Sequence, residues 1–275
     1  MGVLPDVLGA APRRALEGVG ESGLQRFRLA HRALPGRDLS EVSLRTRLLG
    51  AELAAPVVLV GEDRALARVA TEHRLGLVAN RLSPDRPPLW LASLDVTQLR
   101  AAGGPERAEQ LVSSLDSDGI VLRLNGMEEA LREDGQPLMR DATEAIASVA
   151  ERLLPLPVMV CGTPFGMDAA DVRELRAAGV SAIDVGGGAG DGWGVPTADA
   201  LAEGVLAADG LPLLAGVDDG VDAAKCLALG AVAVSVAWPR PEGVAALVER
   251  LRVAVWATGE PAAALLTQGH LRDSA

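Results

Sequence analysis

The chain has 275 residues, of which 49% are hydrophobic, and its 37 acidic and 26 basic residues give a formal net charge of −11. This length suits one large α/β domain, whereas the acidity excludes a nucleic-acid partner, which requires a basic surface. No apolar run reaches the roughly 18 residues of a membrane span, and the N-terminus lacks a secretion signal, so a cytoplasmic location is expected. Two cysteines and three scattered histidines predict neither disulfides nor a metal-binding spacing.

Strand-like apolar runs alternate with helical patterns, which is typical of a parallel sheet built from βα units. Eight such units predict a closed (β/α)8 barrel, the TIM-barrel fold. Asp168 and Thr197 stand at predicted helix N-caps. The predicted helices are 62–74, 105–115, 141–153, 168–178, 197–207, 219–229 and 241–258. The predicted strands are 56–60, 75–79, 88–92, 119–124, 157–161, 180–185, 212–215 and 231–236.

Two segments depart from the repeating βα pattern. Residues 81–88, RLSPDRPP, replace the second helix because their prolines block helical hydrogen bonding. Residues 1–55 form an N-terminal extension that we expect to pack across the bottom of the barrel or onto a neighbouring subunit. The barrel domain then covers residues 56–275.

The residues that follow each strand are the first candidates for a site, because barrel active sites lie at the C-terminal ends of the strands. Asp184 ends the sixth strand and is predicted either to line the mouth or to accept backbone N–H groups. Cys161 ends the fifth strand and is predicted to be a small buried hydrophobe rather than a nucleophile. The ring of Trp193 is a candidate to stabilise a carbocation, with core packing as the alternative.

A glycine-rich loop follows the sixth strand. Glycine allows the backbone to approach a phosphate closely, so the loop is a candidate phosphate cradle, with a flexible connection as the alternative. Its glycines are Gly186, Gly187, Gly188 and Gly190.

Three stretches of the sequence resemble the type 2 isopentenyl diphosphate isomerases. They are residues 29–59, residues 122–138, and residues 182–201 with 220–239. The resemblance implies a phosphate-binding TIM barrel that moves a double bond in an isoprenoid diphosphate. It also implies reduced FMN as cofactor, Mg²⁺ at the diphosphate, and a symmetric homo-oligomer for which residues 1–55 are a candidate interface.

The resemblance also assigns roles to individual residues. Asn125 and Glu129 keep family identities, and Glu129 is thereby implied to be a Mg²⁺ ligand. Glu128 stands where the family has a glutamine near the moving protons, and this change introduces a general acid/base. His31 matches a family histidine. Arg81 is a candidate substrate- or phosphate-binding residue in the turn after the second strand, where residues 79–82 replace a Gly-Ser-Gln-Arg-like turn of the family.

Acidic residues near the seventh strand supply a further candidate. Asp218, Asp219 and Asp222 match the Asp-Asp-x-x-Asp spacing with which isoprenoid synthases hold Mg²⁺ against a diphosphate. The alternative is helix capping, since acidic residues favour helix N-termini. For Glu128 and Glu129 the corresponding alternative is a solvated helix start.

The family's flavin-binding residues are largely replaced. Cys161 stands where the family places a lysine, residues 215–219 replace its phosphate loop, and the loop after the first strand is deleted. Carboxylates at 218 and 219 would repel an FMN phosphate. These departures predict isomerisation or terpene-type cyclisation of a prenyl diphosphate without a normal flavin. The alternatives are an FMN-dependent isopentenyl diphosphate isomerase and a non-catalytic barrel that acts as a partner protein.

Overall fold

The computed structural model describes residues 22–99, 103–162, 164–188 and 193–274. Eight parallel strands close into a barrel in which the last strand pairs with the first. This confirms the TIM-barrel prediction and all eight predicted strands. The barrel strands are β1 (Val57–Val60), β2 (Gly76–Val78), β3 (Leu89–Asp95), β4 (Gly119–Leu124), β5 (Val158–Gly162), β6 (Ala182–Asp184), β7 (Leu213–Gly216) and β8 (Ala233–Ala237).

Helices alternate with these strands, and each of the seven predicted helices is present. Two shorter helices, α2 and α4, escaped prediction because each spans barely one helical turn. Among the described residues, every helix is too short or too polar to span a bilayer. The helices are α1 (Arg64–Glu72), α2 (Val96–Leu99), α3 (Gly104–Leu115), α4 (Gly126–Ala130), α5 (Ala142–Arg152), α6 (Ala169–Ala177), α7 (Thr197–Ala208), α8 (Gly220–Leu229) and α9 (Val244–Thr258).

The two predicted N-caps have different outcomes. Asp168 caps α6, because its carboxylate accepts hydrogen bonds from the backbone N–H groups of Ala170 and Asp171 at 2.7 and 2.9 Å. Thr197 is not an N-cap: Pro196 holds that position, and Thr197 is the first helical residue. The Thr197 hydroxyl instead donates to the carbonyl of Gly187 at 2.6 Å.

The barrel interior is filled by alternate residues of the strands, as the two-residue period of a strand requires. A short hairpin, Thr46–Leu48 with Ala51–Leu53, adds Leu48 and Leu53 to this interior cluster. The hairpin lies at the bottom of the barrel, since Ala54 N–H donates to the carbonyl of Arg74, just before β2. The interior residues of the strands are Val58, Val78, Leu89, Leu91, Val121, Met159, Ala182, Leu214 and Ala233.

Trp90 closes the barrel wall beside the missing second helix. Residues 79–88 contain no helix, in agreement with the prediction for RLSPDRPP. Trp90 points outward between two interior residues of β3 and is only 2% exposed. Its indole N–H donates to the carbonyl of Ala79 at 3.0 Å, and the Arg86 guanidinium lies 5.6 Å from its ring centroid. The indole therefore covers the strands that a helix would otherwise cover.

The segments before and after the barrel pack together. Strand Phe27–Leu29 pairs antiparallel with strand Leu271–Asp273 near the chain end. Short 3-10 helices occupy Leu24–Arg26, Leu39–Glu41, Pro241–Gly243, Ala263–Leu265 and Gln268–His270.

Candidate functional site

A row of polar side chains crosses four adjacent strands at the barrel mouth. The register aligns Asp95 of β3 with Arg123 of β4, Arg123 with Cys161 of β5, and Cys161 with Asp184 of β6. Aligned residues on parallel strands share a face and lie roughly 4.8 Å apart. Each lies two or four residues beyond an interior residue of its strand, so the row faces the inside of the barrel.

Arg123 joins two carboxylates at this mouth. Its Nε lies 3.4 Å from Asp95 Oδ1, and its terminal nitrogen donates to Glu128 Oε2 at 3.1 Å. The Glu128 side chain, on α4, is only 13% exposed. Burial raises the pKa of both carboxyls, although the guanidinium opposes the rise. The cluster therefore holds protons at higher pH than exposed carboxyls do.

Asp184 is the second buried acid of the mouth. Its Oδ2 accepts a hydrogen bond from the hydroxyl of Ser235 on β8, and its Oδ1 accepts one from the N–H of Gly186 at 3.0 Å. Both predicted roles of Asp184 are therefore met. Burial raises its pKa, while the two hydrogen bonds oppose the rise. Burial also raises the pKa of the Cys161 thiol, which agrees with its predicted inertness as a nucleophile.

Asn125 and Glu129 are occupied by local hydrogen bonds. Asn125 is 2% exposed, and its Oδ1 accepts from the hydroxyl of Thr97 at 3.1 Å. The carboxylate of Glu129 lies 3.4 Å from Arg132 and accepts from the backbone N–H of Gln136 at 3.2 Å. Asn125 thus fixes the turn after β4, while Glu129 pairs with Arg132 and Glu128 pairs with Arg123.

In the described part of the glycine loop, the N–H groups of Gly186, Gly187 and Gly188 all have partners within the chain, so these three groups do not form an open phosphate cradle in this structure. Gly186 N–H donates to Asp184, Gly187 N–H to the hydroxyl of Thr197 at 3.1 Å, and Gly188 N–H to the carbonyl of Pro164 at 2.7 Å. Gly190 lies outside the described residues.

Close backbone packing explains the first two glycines of this loop. A Cβ on Gly186 would lie 2.2 Å from the backbone nitrogen of Gly216, and one on Gly187 would lie 2.0 Å from that of Gly166. Any side chain at either position would collide with the backbone of the neighbouring residue, Gly216 or Gly166.

The predicted Mg²⁺ ligands do not converge in this structure. Asp219 caps α8 by accepting from Val221 N–H at 2.5 Å, and its second oxygen lies 2.9 Å from Arg250. Asp222 lies 2.9 Å from Lys225 Nζ, Asp218 is exposed, and Glu129 follows β4, three strands away. Across the part of the chain that the structure describes, no three His, Cys, Asp or Glu side chains form a group that could hold a metal ion.

The remaining predicted residues lie at separate places. Arg81 is exposed on the connection between β2 and β3, and Trp193 is 60% exposed after the glycine loop. His31 lies away from the mouth, which corrects its assignment as a catalytic residue. The neighbouring Arg32 N–H donates at 2.8 Å to the carbonyl of Ala257, at the C-terminal end of α9. Helices of the barrel return to its bottom, so His31 lies at that end.

Sequence reasoning placed Asp95 among the residues that follow a strand, but it did not pair Asp95 with Arg123 and did not bring Ser235 into the site. The available signal was a charged residue inside the apolar strand GIVLRL, at a position that continues the inward-facing alternation. Neither a charged residue on a strand nor a serine near a strand end identifies its partner without the strand register.

The carbonyl ends of β7 and β8 do not fit the phosphate of the FMN that the family resemblance implies. A phosphate binds where helix N-terminal and loop N–H groups are free. Here Asp219 occupies the N-terminus of α8, and the N–H groups of Gly186–Gly188 have partners within the chain. Asp218 adds an exposed negative charge, and the nearby Arg250 is paired with Asp219.

Comparison with solved structures supports the fold. A variant of mandelate oxidase with (S)-mandelic acid superimposes with a TM-score of 0.72 at 22% identity, covering 98% of this chain and 95% of that chain. A chimeric (S)-mandelate dehydrogenase gives a TM-score of 0.69 at 21% identity, covering 97% of this chain and 96% of that chain. At this level of identity the similarity concerns the fold alone.

Comparison with curated sequences identifies the family. No protein-family model matches the chain. The isopentenyl-diphosphate delta-isomerase of Stutzerimonas stutzeri is 31% identical over 325 aligned positions, covering 94% of this chain and 93% of its own. That of Pseudescherichia vulneris is 31% identical over 326 positions, covering 95% and 93%. These spans exceed the 275 residues of this chain, which therefore lacks internal segments of its relatives. On this evidence, the chain belongs to the type 2 isopentenyl diphosphate isomerase family.

Proposed function

We propose that the protein isomerises isopentenyl diphosphate or a closely related prenyl diphosphate. Family membership supplies the substrate class, since the relatives are named isopentenyl-diphosphate delta-isomerases. The observation that carries the proposal is the cluster of Glu128, Arg123 and Asp95 inside the barrel mouth. The other predictions were cyclisation and a non-catalytic partner role, which nothing in the comparisons favours, and an FMN-dependent isopentenyl diphosphate isomerase, which the names of the relatives support.

The cluster has the chemistry that the reaction requires. Moving a double bond by one position adds a proton to one carbon and removes a proton from another. Glu128 is a partly buried carboxyl at the mouth, and in this proposal it exchanges a proton with the substrate. Arg123 orients the Glu128 carboxylate through one hydrogen bond and ties it to β3 through Asp95.

The cofactor is part of the proposal. FMN is the family cofactor, and a related mandelate oxidase structure holds a monooxide FMN adduct at a TM-score of 0.70. Because the phosphate end of this barrel does not fit FMN, we assign the proton transfers to the chain's own residues. Mg²⁺ at the diphosphate, a cytoplasmic location and a symmetric assembly through residues 1–55 stay predictions.

Replacing Glu128 with glutamine is expected to lower turnover of isopentenyl diphosphate by about 1,000-fold, within the usual contribution of a general acid or base. The amide keeps the shape and accepts from Arg123 but cannot exchange a proton. Glu106→Gln is the control, because its carboxylate pairs with Arg152 between the outer helices α3 and α5 and the variant is expected to retain turnover within about threefold of wild type. The assay is conversion to dimethylallyl diphosphate in D₂O, with deuterium incorporation followed by NMR. Unchanged turnover in Glu128→Gln would remove Glu128 from the mechanism.

Mixing the purified protein with FMN, followed by gel filtration, is expected to leave a colourless protein. The reason is that Asp219 caps α8, Asp218 adds a second carboxylate, and the N–H groups of Gly186–Gly188 already have partners within the chain. The visible spectrum of the protein peak is the measurement. Flavin that co-elutes at one per chain would instead establish the FMN-dependent isomerase as the function.

A further inference from the structure

Asp184 on β6 and Ser235 on β8 are joined by a hydrogen bond that crosses β7, the strand between them. Gly216 of β7 is aligned with Ser235 of β8, while Asp184 of β6 is aligned with Leu214, two residues earlier on β7. The Ser235 hydroxyl nevertheless donates to Asp184 Oδ2 past Gly216, which has no side chain. Both polar residues are buried, at 7% and 6% exposure, whereas Gly216 itself is exposed.

Neither conformation nor packing requires glycine at position 216. Its backbone is outside the left-handed region, and a Cβ there would meet only Ser235 Oγ, at an ordinary contact distance of 3.7 Å. Gly186, by contrast, has no room for a Cβ. The absence of a side chain at Gly216 therefore leaves an opening from the barrel mouth to the Ser235 hydroxyl.

We propose that Ser235 and Asp184 form a proton relay that serves as the second proton-transfer group of the reaction and meets the substrate at Gly216. This inference rests on the proposed function. As a base, Ser235 Oγ takes a proton from a substrate carbon while its own proton passes to Asp184 Oδ2. The substrate C–H bond and the original Ser235 O–H bond break, new O–H bonds form at Ser235 Oγ and Asp184 Oδ2, and the carboxylate becomes a carboxylic acid.

The other proton of the isomerisation comes from Glu128. It delivers a proton to the far carbon of the double bond, so the substrate gains one proton and loses one. Afterwards Asp184 is protonated and Glu128 is ionised, and one proton passing back through water restores both. The reverse reaction uses the same groups in the opposite sense.

The surroundings of Asp184 suit a group that both accepts and returns a proton. Burial raises its pKa, and the hydrogen bonds from Ser235 and Gly186 limit the rise. The titratable groups that face it are the thiols of Cys161 on β5 and Cys226 on α8. Burial raises the pKa of both thiols, so they stay neutral and leave Asp184 without an ion pair from these elements.

A substitution series at Gly216 and Ser235 tests the relay. Gly216→Ala is expected to lower turnover only slightly, by up to about threefold, since its methyl group fits. Gly216→Val, whose larger side chain closes the opening, is expected to lower turnover by at least about 30-fold. Ser235→Ala is expected to lower turnover by about 100-fold and Ser235→Thr to retain most of it. Equal turnover in Gly216→Ala and Gly216→Val, or full activity in Ser235→Ala, would overturn the relay.

Infrared spectroscopy gives a readout that does not depend on turnover. At a pH low enough to protonate the resting Asp184 carboxylate, its carbonyl stretch, assigned by its loss in Asp184→Asn, is expected to shift quickly in D₂O for Gly216→Ala and slowly for Gly216→Val. Equal exchange rates in the two variants would count against an opening at Gly216. If wild type converts no prenyl diphosphate while the exchange rates differ, the proposed function fails and the opening stands.

Discussion

Arg123→Met is expected to lower turnover of isopentenyl diphosphate by about 1,000-fold. The substitution removes the shared partner of Glu128 and Asp95, so the Glu128 carboxyl loses the hydrogen bond that orients it. Misplacing a reacting group by about 1 Å can cost about 100-fold, and losing the correct protonation state adds to this loss. Steady-state turnover across pH is the measurement, with circular dichroism to confirm that the barrel remains folded.

Two controls separate this role from general loss of charge. Arg132→Met removes an arginine of similar exposure, 36% against 37%, whose partner is Glu129, and it is expected to retain turnover within about threefold of wild type. Arg123→Lys keeps the charge but loses the planar fork that reaches both carboxylates, so intermediate turnover is expected. Equal losses in Arg123→Met and Arg132→Met would contradict a specific role for Arg123.

Arg123→Met is expected to shift the pH dependence of turnover to higher pH. Burial raises the pKa of Glu128 in the folded protein, and the charge of Arg123 opposes this rise. Removing the guanidinium therefore raises the pKa of Glu128 further, and any limb of the turnover profile that reports Glu128 moves to higher pH. The folded protein then holds the proton more strongly than the unfolded chain does. The free energy of unfolding should accordingly fall as pH rises from the unfolded pKa to the folded pKa, over a wider interval than in wild type.

The fold was predictable because its determinants are local and periodic. Short apolar runs bounded by turn residues mark all eight strands, and the prolines of RLSPDRPP exclude a helix whatever its surroundings. The N-cap role of Asp168 was equally predictable, since a capping carboxylate accepts from N–H groups two and three residues along the chain. Thr197 has the residue type of a cap, but its hydroxyl is engaged by Gly187, ten residues earlier, and no local rule anticipates that contact.

The site was less predictable because its residues acquire their roles from distant partners. Asp219 and Asp222 show the spacing of a diphosphate-binding motif, yet Arg250 and Lys225 pair with them. The glycines after β6 look like a phosphate loop, yet at Gly186 and Gly187 they meet the backbones of Gly216 and Gly166. Residue type alone cannot separate a ligand-binding glycine from one required by close packing.

Glu128 and Glu129 show what the sequence did establish. The family resemblance placed both at the mouth and marked the change from glutamine at position 128. The structure distinguishes them, because the one-turn helix α4 directs Glu128 to Arg123 and Glu129 to Arg132. Adjacent helical residues point about 100° apart, so only one of the two can face the interior cluster.

Trp90→Ala is expected to lower the free energy of unfolding by about 3–5 kcal/mol, the usual cost of truncating a buried tryptophan. The loss should lie at the upper end because no helix covers β2 and β3 where Trp90 packs. The substitution also leaves the Ala79 carbonyl without its indole donor and removes the ring on which Arg86 lies. Equilibrium urea denaturation followed by circular dichroism measures the change, and the melting temperature should fall by about 10 °C.

Trp193→Ala provides the matched control, since that ring is 60% exposed and its removal should change the free energy of unfolding by less than about 1 kcal/mol. Trp90→Phe separates packing from hydrogen bonding, because it retains most of the buried area but has no N–H for Ala79. A loss of about 1–2 kcal/mol is expected for it. If Trp90→Ala were no more destabilising than Trp193→Ala, other residues must seal the wall between β2 and β3, and the loop 79–88 would be the first to examine. A large effect would show that one indole replaces a helix in closing this barrel.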